Sequence, residues 1–149
     1  MLIDISDKAI DPWQWLARAQ AQLISSGALK QHRFGASANF IGTMRDFNDD
    51  QTIQAMELVH YPSMTKKELE NILHEALTKH AILQAAITHR IGKVSPSDTL
   101  VVVAVWSAHR NAAFEACREI MEALKHRAPF WKKEHTDKGA RWVAKNTQG

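Results

Sequence analysis

Hydrophobic and polar residues recur along this chain with two periods, one typical of helices and one typical of strands. Between Pro62 and Lys79, apolar residues recur at i, i+3, i+4, i+7 and i+8 with charged residues between them, which predicts an amphipathic helix. Asp11 followed by Pro12 is a typical helix start and Gly27 a typical end, so a first helix is predicted there. The apolar positions predicted for that helix are Trp13, Leu16, Ala17, Ala19, Leu23 and Ile24.

A third helix is predicted to begin at Ser107 or Ala108 and to run to about Arg127. Pro129 would end it, because proline cannot continue the helical hydrogen bonds. The apolar face predicted for this helix consists of Phe114, Cys117, Met121 and Leu124.

Four apolar or alternating stretches predict strands: Gly35–Met44, Thr52–Tyr61, Ala85–Ile91 and Thr99–Trp106. The second of them carries apolar residues at both alternating sets of positions, so it is expected to be buried on most of both faces. The polar stretch Arg45–Asp50 predicts a mobile loop, and Phe130–Asn146 is expected to be short-stranded or irregular.

The predicted element order is α-β-β-α-β-β-α-β, and adjacent strand pairs favour an α+β fold over a doubly wound parallel sheet. A length of 149 residues, with 45% hydrophobic and 23% charged residues, fits one globular domain over residues 1–149. The single cysteine, Cys117, excludes an internal disulfide and a cysteine-based zinc cage. The longest apolar run, Leu100–Trp106, is far shorter than the roughly 18 residues of a membrane span, and no secretory signal pattern precedes it, so a cytoplasmic protein is expected.

The net charge of +3 is unevenly distributed along the chain. Residues 1–104 contain 10 Lys and Arg against 11 Asp and Glu, whereas residues 105–149 contain 9 against 5. This asymmetry indicates an anionic partner for the C-terminal third, or a solvated basic surface.

Two groups of basic residues in that third are candidates for chemistry. His109 and Arg110 fall at a predicted helix start, where free backbone N–H groups bind anions, although both side chains could instead face solvent. Lys125 follows Arg110 by fifteen residues, which places it about 22 Å further along the helix. Lys125 would either extend along the apolar stripe to reach water or lie partly buried with a lowered pKa. His74 and His80 are six residues apart instead of four, so they are expected to be surface histidines and no metal site is predicted.

Several strings of residues, in this order along about residues 10–146, resemble one known family. They are Phe40-x-Gly42-x-x-Arg45, Glu57-x-x-His60-Tyr61-Pro62-x-Met64, His89-Arg90-Ile91-Gly92, Ser107-Ala108-His109-Arg110 and Lys125-x-Arg127-Ala128-Pro129-Phe130-Trp131-Lys132-Lys133-Glu134. The family that these strings resemble is MoaE, the large, catalytic subunit of molybdopterin synthase.

The resemblance implies a single-domain α/β-hammerhead fold with a mixed or antiparallel sheet and flanking helices. It also implies a sulfurtransferase that moves sulfur from the C-terminal thiocarboxylate of a small ubiquitin-like subunit to cyclic pyranopterin monophosphate, forming the dithiolene of molybdopterin. The small subunit ends in Gly-Gly, two large subunits form a homodimer, and the whole is a heterotetramer. No resident cofactor, metal, nucleic acid or membrane is implied.

The resemblance assigns roles to single residues of this chain. Lys125 and Lys132 match the family's catalytic lysines. The residues that match its substrate-binding positions are Thr43, Met44, Arg45, His109, Arg110, Lys133 and Glu134. Lys145 and Asn146 occupy the region where the family often has a further basic residue, and Trp106 is bulkier than expected before the Ser-Ala-His-Arg string.

Two other interpretations are open at this point. The basic C-terminal stretch, with Phe130, Trp131 and Trp142 as stacking platforms, could bind nucleic acid, although no nucleic-acid motif is present. The chain could also be an inactive relative that acts as a scaffold, but the presence of both lysines, Arg45 and the His-Arg pair argues against this.

Overall fold

A computed structural model describes residues 1–48 and 51–143, which form two sheets and three α-helices. The helices are α1 (Pro12–Ser25), α2 (Pro62–Lys79) and α3 (Arg110–Arg127), with a 3₁₀ turn at Gln31–Arg33. The strands are β1 (Leu2–Ser6), β2 (Ala36–Thr43), β3 (Phe47–Asn48), β4 (Gln51–His60), β5 (Ile82–Arg90), β6 (Gly92–Val94), β7 (Thr99–Ser107), β8 (Phe130–Thr136) and β9 (Gly139–Trp142).

The first sheet has the strand order β1-β5-β7-β2, and its helices lie on both faces. β1 pairs with β5 in parallel, whereas β7 is antiparallel to both β5 and β2. Val101, Val103 and Val105 of β7 face α2 and α3, while Val102 and Ala104 face α1. The valine-rich run predicted as a strand is therefore the central strand of the molecule, buried on both faces.

The second sheet has the order β3-β4-β8-β9, and β6 also pairs with β4. It covers a small core of its own, made of Met44, Ile53, Met56, Leu58 and Val94. The strands β4, β8 and β9 are antiparallel to their neighbours. With mixed pairing in one sheet, antiparallel pairing in the other and flanking helices, the predicted α+β fold is confirmed.

The helix starts follow from local chemistry. The Asp11 carboxylate accepts hydrogen bonds from the backbone N–H groups of Trp13 and Gln14, both at 3.0 Å, which caps α1 as predicted. Gly27, which follows α1, has a φ of +76°, a left-handed conformation that favours glycine. α2 spans the predicted Pro62–Lys79, and α3 begins at Arg110, slightly later than predicted.

Predictions of burial were wrong in two of the helices. Phe114 is 65% exposed, because α3 packs closely on the first sheet through its small residue Ala113, with Ala116 and Ile120. In α1, Trp13 is 68% exposed, and Trp15 packs against the sheet instead.

The second sheet accounts for the other corrections. β4 is buried on one face only, because its residues Ile53, Met56 and Leu58 pack into the small core while Val59 is 39% exposed. The segment from Phe130, predicted to be short-stranded or irregular, forms the β8–β9 hairpin, which confirms the first alternative. Part of the predicted loop Arg45–Asp50 is the short strand β3, while residues 49 and 50 lie outside the described residues. Among the helices described, none is long and apolar enough to cross a membrane.

Candidate active site

The strand pairing brings the end of α3 to the end of β2. β2 and β7 are antiparallel, with Ala36 opposite Ser107 and Thr43 opposite Thr99. α3 starts just after Ser107 and packs back along these two strands over its 18 residues, a length of about 27 Å. Its last turn, which carries Lys125, therefore lies at the Thr43 end of the first sheet.

Lys132 comes close to Lys125 because β8 begins three residues after α3 ends. Both side chains are half-buried. Burial lowers the pKa of Lys132 below its ordinary value, and the positive charge of Lys125 lowers it further, while the Glu134 carboxylate acts in the opposite direction. The two lysines predicted to be catalytic are thus brought together at one site.

Glu134 lies on the same face of β8 as Lys132, two residues further along. It is 4% exposed, and it accepts a hydrogen bond at 3.0 Å from Nε of Arg141, which lies directly opposite it on β9. A buried carboxylate at this position moderates the positive charge of the lysine pair.

Lys133 leaves β8 on the other face. Its ammonium lies 5.7 Å from the ring centroid of Trp142, and its strand neighbour across the ladder is Glu57. The substrate contact expected of Lys133 stays a prediction. Lys133 would have to make it from the face of the second sheet opposite to Lys132.

The segment Thr43–Arg45 follows the end of β2 and is held by a turn. The Met44 backbone N–H donates to the Asp98 carbonyl at 2.9 Å, and the Met44 carbonyl accepts from the Ser97 N–H at 2.9 Å. The Met44 side chain is 4% exposed in the small core, whereas Thr43 and Arg45 are exposed. The buried Met44 side chain does not face a substrate. The predicted substrate contact of Met44 would therefore be made by its backbone, and it stays a prediction.

His109 and Arg110 lie at the opposite end of α3 from Lys125, and both are exposed. His109 is the N-cap residue, and its side chain makes no capping hydrogen bond. Their turn is packed against Gly35, whose backbone N–H donates to the Ser107 carbonyl at 3.0 Å. The separation predicted from the helix length is confirmed, so one copy of the chain does not bring this pair to the lysines.

Two histidines near the lysines, His60 and His89, were not predicted from the sequence to have a function. His89 stacks on Phe130 with ring centroids 3.7 Å apart, and His60 faces the same ring at 6.1 Å. Their only signal in the sequence was their presence in two of the strings that resemble the family.

Other candidate residues are structural. Burial raises the pKa of Cys117 to about 11, which agrees with an inert packing role. His80 is not the surface histidine that was predicted, because its ring packs beside α3 and lies 2.9 Å from Glu119.

No group of potential metal ligands occurs among residues 1–48 and 51–143. Lys145 and Asn146 lie outside that part of the chain.

The chain is similar to known proteins over most of its length. The family model described as MoaE protein matches residues 14–127. A molybdopterin synthase catalytic subunit from Pseudomonas aeruginosa is 45% identical over 143 residues, which cover 96% of this chain and 90% of that protein. One from Ralstonia nicotianae is 53% identical over 111 residues, covering 74% of this chain and 63% of that protein.

The fold comparison agrees with the sequence comparison. The structure of a molybdopterin biosynthesis MoaE protein from Burkholderia ambifaria matches with a TM-score of 0.77 and 42% identity. That match covers 99% of this chain and 92% of the other. The family match over more than half of the chain, the identity to full-length relatives and the shared fold lead to one conclusion: this chain belongs to the MoaE family.

Proposed function

We propose that this chain is the catalytic subunit of a molybdopterin synthase, a sulfurtransferase of molybdenum cofactor biosynthesis. It would transfer sulfur from the C-terminal thiocarboxylate of a small ubiquitin-like subunit to cyclic pyranopterin monophosphate, forming the dithiolene of molybdopterin. Relatives over most of the chain carry the name of this catalytic subunit. The observation that carries the proposal is the proximity of Lys125 to Lys132 in a half-buried site.

The lysine pair suits the two demands of this reaction. Lys125 would stabilise the negative charge that develops on the thiocarboxylate carbonyl, or would exchange a proton with that group. Lys132, whose pKa is lowered by burial and by Lys125, gives up its proton more readily than an ordinary lysine. It would protonate the leaving oxygen of the pterin or hold the pterin in place.

The anion site at His109 and Arg110 supports a homodimer. A helix start with free N–H groups and two basic side chains favours a phosphate or carboxylate. Because Arg110 lies about 22 Å from Lys125 along α3, a second copy of the chain would have to bring its pair to the lysines. With one small subunit on each large subunit, the assembly is a heterotetramer.

The same proposal covers the remaining expectations. Sulfur arrives on the small subunit and the pterin is the substrate, so the chain itself needs no resident cofactor. The anionic partners that the basic C-terminal third favours are then the thiocarboxylate tail and the pterin phosphate, with no role for nucleic acid or a membrane. A cytoplasmic location fits these partners.

The test is product formation by Lys125→Ala with a thiocarboxylated small subunit and the pterin precursor. We expect a loss of at least about a hundredfold in the rate of molybdopterin formation. Lys138→Ala is the matched control, since Lys138 is an exposed lysine in the turn between β8 and β9. A near-normal rate for Lys125→Ala would contradict the proposal.

A further inference from the structure

The ring of Phe130 contacts an imidazole from each of the two sheets. The His89 ring is nearly parallel to it, with 9° between the planes and 3.7 Å between the centroids. The His60 ring lies 6.1 Å away at an angle of 19°. His89 belongs to β5 of the first sheet and His60 to β4 of the second, so the phenyl ring joins the sheets where both strands end.

Phe130 also occupies a particular position between the two lysines. It is the first residue of β8, five residues after Lys125 and two before Lys132. Residues two apart on a strand share a face, so Phe130 and Lys132 leave β8 on the same side. Whatever fixes the phenyl ring therefore fixes the short connection from α3 to β8 and, with it, the approach of the two lysines.

The His89 ring is itself held in place. Its Nδ1 lies 2.8 Å from the Arg90 carbonyl, and because a carbonyl only accepts, Nδ1 carries the proton. The Arg90 guanidinium donates to the carbonyls of Ile91 at 2.6 Å and Ser6 at 3.3 Å, which fixes the backbone of this corner. The imidazole thus rests on a rigid support and presents its face to Phe130.

Burial keeps the His89 imidazole neutral. Burial, with smaller effects of Lys132 on β8 and His60 on β4, lowers the pKa of His89 to about 4, although the hydrogen bond to the Arg90 carbonyl acts in the opposite direction. The contact with Phe130 is therefore a stack of two neutral rings close to Lys132.

We propose that His89 is a positioning residue for the lysine pair: it pins the Phe130 ring and thereby holds Lys132 beside Lys125, shielded from water. This role presupposes the sulfur transfer proposed above. His89 touches no reacting group in it and acts through Phe130.

Two substitutions separate the stacked ring from the hydrogen bond. His89→Asn keeps an N–H donor for the Arg90 carbonyl but removes the ring, whereas His89→Phe keeps a ring and removes the donor. The first readout is the titration of the Lys132 side chain in protein labelled with ¹³C-lysine, followed by NMR. The second is the rate of molybdopterin formation, resolved into kcat and KM for the pterin precursor.

We expect the Lys132 pKa in His89→Asn to rise towards the ordinary lysine value, because water reaches the ammonium and relieves its burial. We expect kcat to fall on the order of tenfold with KM nearly unchanged, since small displacements of a reacting group are costly. His89→Phe should restore most of the lost kcat and keep the Lys132 pKa low. His74→Asn, the same substitution on the exposed face of α2, should change neither readout.

The inference is overturned if His89→Asn leaves the pKa of Lys132 unchanged and changes kcat by less than about twofold. A misplaced reacting group would lower kcat by much more than that. It is equally overturned if His89→Phe fails to restore what His89→Asn loses. Should His89→Asn not fold, Phe130→Leu removes the other ring of the stack and must give the same lysine shift. The NMR titration needs no substrate, so an unsubstituted protein that forms no product would defeat the proposed function alone.

Discussion

Lys132 lies directly opposite Leu58 in the ladder between β4 and β8. Leu58 is 2% exposed and belongs to the small core of the second sheet, and paired residues of neighbouring strands share a face. Lys132 therefore points inwards, towards the site. The next residue, Lys133, points outwards and lies over Trp142.

The alternation of these faces predicts different effects for two adjacent lysines. Lys132→Met should reduce the rate of molybdopterin formation by at least about a hundredfold, because it removes a positioned proton-transfer group. Lys133→Met should reduce the rate of molybdopterin formation by about tenfold or less, since it leaves the cation of Lys132 in place on the inner face of β8. Both variants keep the length of the side chain, and thermal unfolding of each serves as the control for folding. Equal losses in the two variants would contradict the assignment of the inner face as the active one.

The effect of Lys125 on Lys132 can be measured without any substrate. Lys125→Met removes a positive charge close to Lys132, so the Lys132 pKa should rise, although burial will still keep it below the ordinary value. The titration of Lys132 in ¹³C-lysine-labelled protein gives this shift directly. Lys138→Met, at an exposed turn, should leave the titration unchanged. An unaltered Lys132 titration in Lys125→Met would show that the two ammonium groups do not interact.

The same pKa has a consequence for stability. Because the folded chain lowers the Lys132 pKa, the unfolded chain binds the Lys132 proton more tightly. The penalty for folding with a charged Lys132 is therefore present at neutral pH and is relieved as the pH rises through the lowered pKa. Lys125→Met should weaken this dependence, so the free energy of unfolding of the variant should rise less with pH than that of the unsubstituted protein. Urea unfolding at a series of alkaline pH values measures the difference.

The sequence predicts well where local signals are strong. α2 has its predicted limits because Pro62 starts a clear helical period, and β7 has its predicted position because its valines form a continuous apolar run. Local signals fail where a distant partner decides the structure. β1 is a strand because it pairs with β5, about eighty residues later, and β8 is a strand despite its charged residues because it pairs with β4.

In the candidate site, too, some features could be predicted from the sequence and others depended on pairing between distant strands. The resemblance predicted catalytic roles for Lys125 and Lys132 from the residues alone, and the separation of Arg110 from Lys125 followed from helix length. The opposite faces of Lys132 and Lys133 required the register of β8 on β4, which no local pattern contains. The stack of His89 on Phe130 joins residues 41 positions apart, so its place beside the lysines emerged only from the fold.

Cys117 should be unreactive in the folded protein. It is 6% exposed on the face of α3 that packs on the first sheet, and burial raises its pKa to about 11. Since the thiolate is the reactive form, a disulfide reagent at mildly alkaline pH should modify the native chain slowly. In denaturant the same reagent should quickly titrate one thiol per chain, the number that the sequence contains. Equal rates in the two states would contradict the packing role.

Gly35 should be essential for the turn that carries His109 and Arg110. A Cβ atom at this position would lie 2.8 Å from the backbone oxygen of Ala108, and a backbone atom cannot move aside as a side chain can. Gly35→Ala should therefore lower the free energy of unfolding by about 1–3 kcal/mol, the usual cost of overpacking. Ser37→Ala, at an exposed position of β2, should change it by no more than about 0.5 kcal/mol. Urea unfolding of both variants makes the comparison, and equal stabilities would mean that the 107–109 turn adjusts freely and that Gly35 does not hold the start of α3 in place.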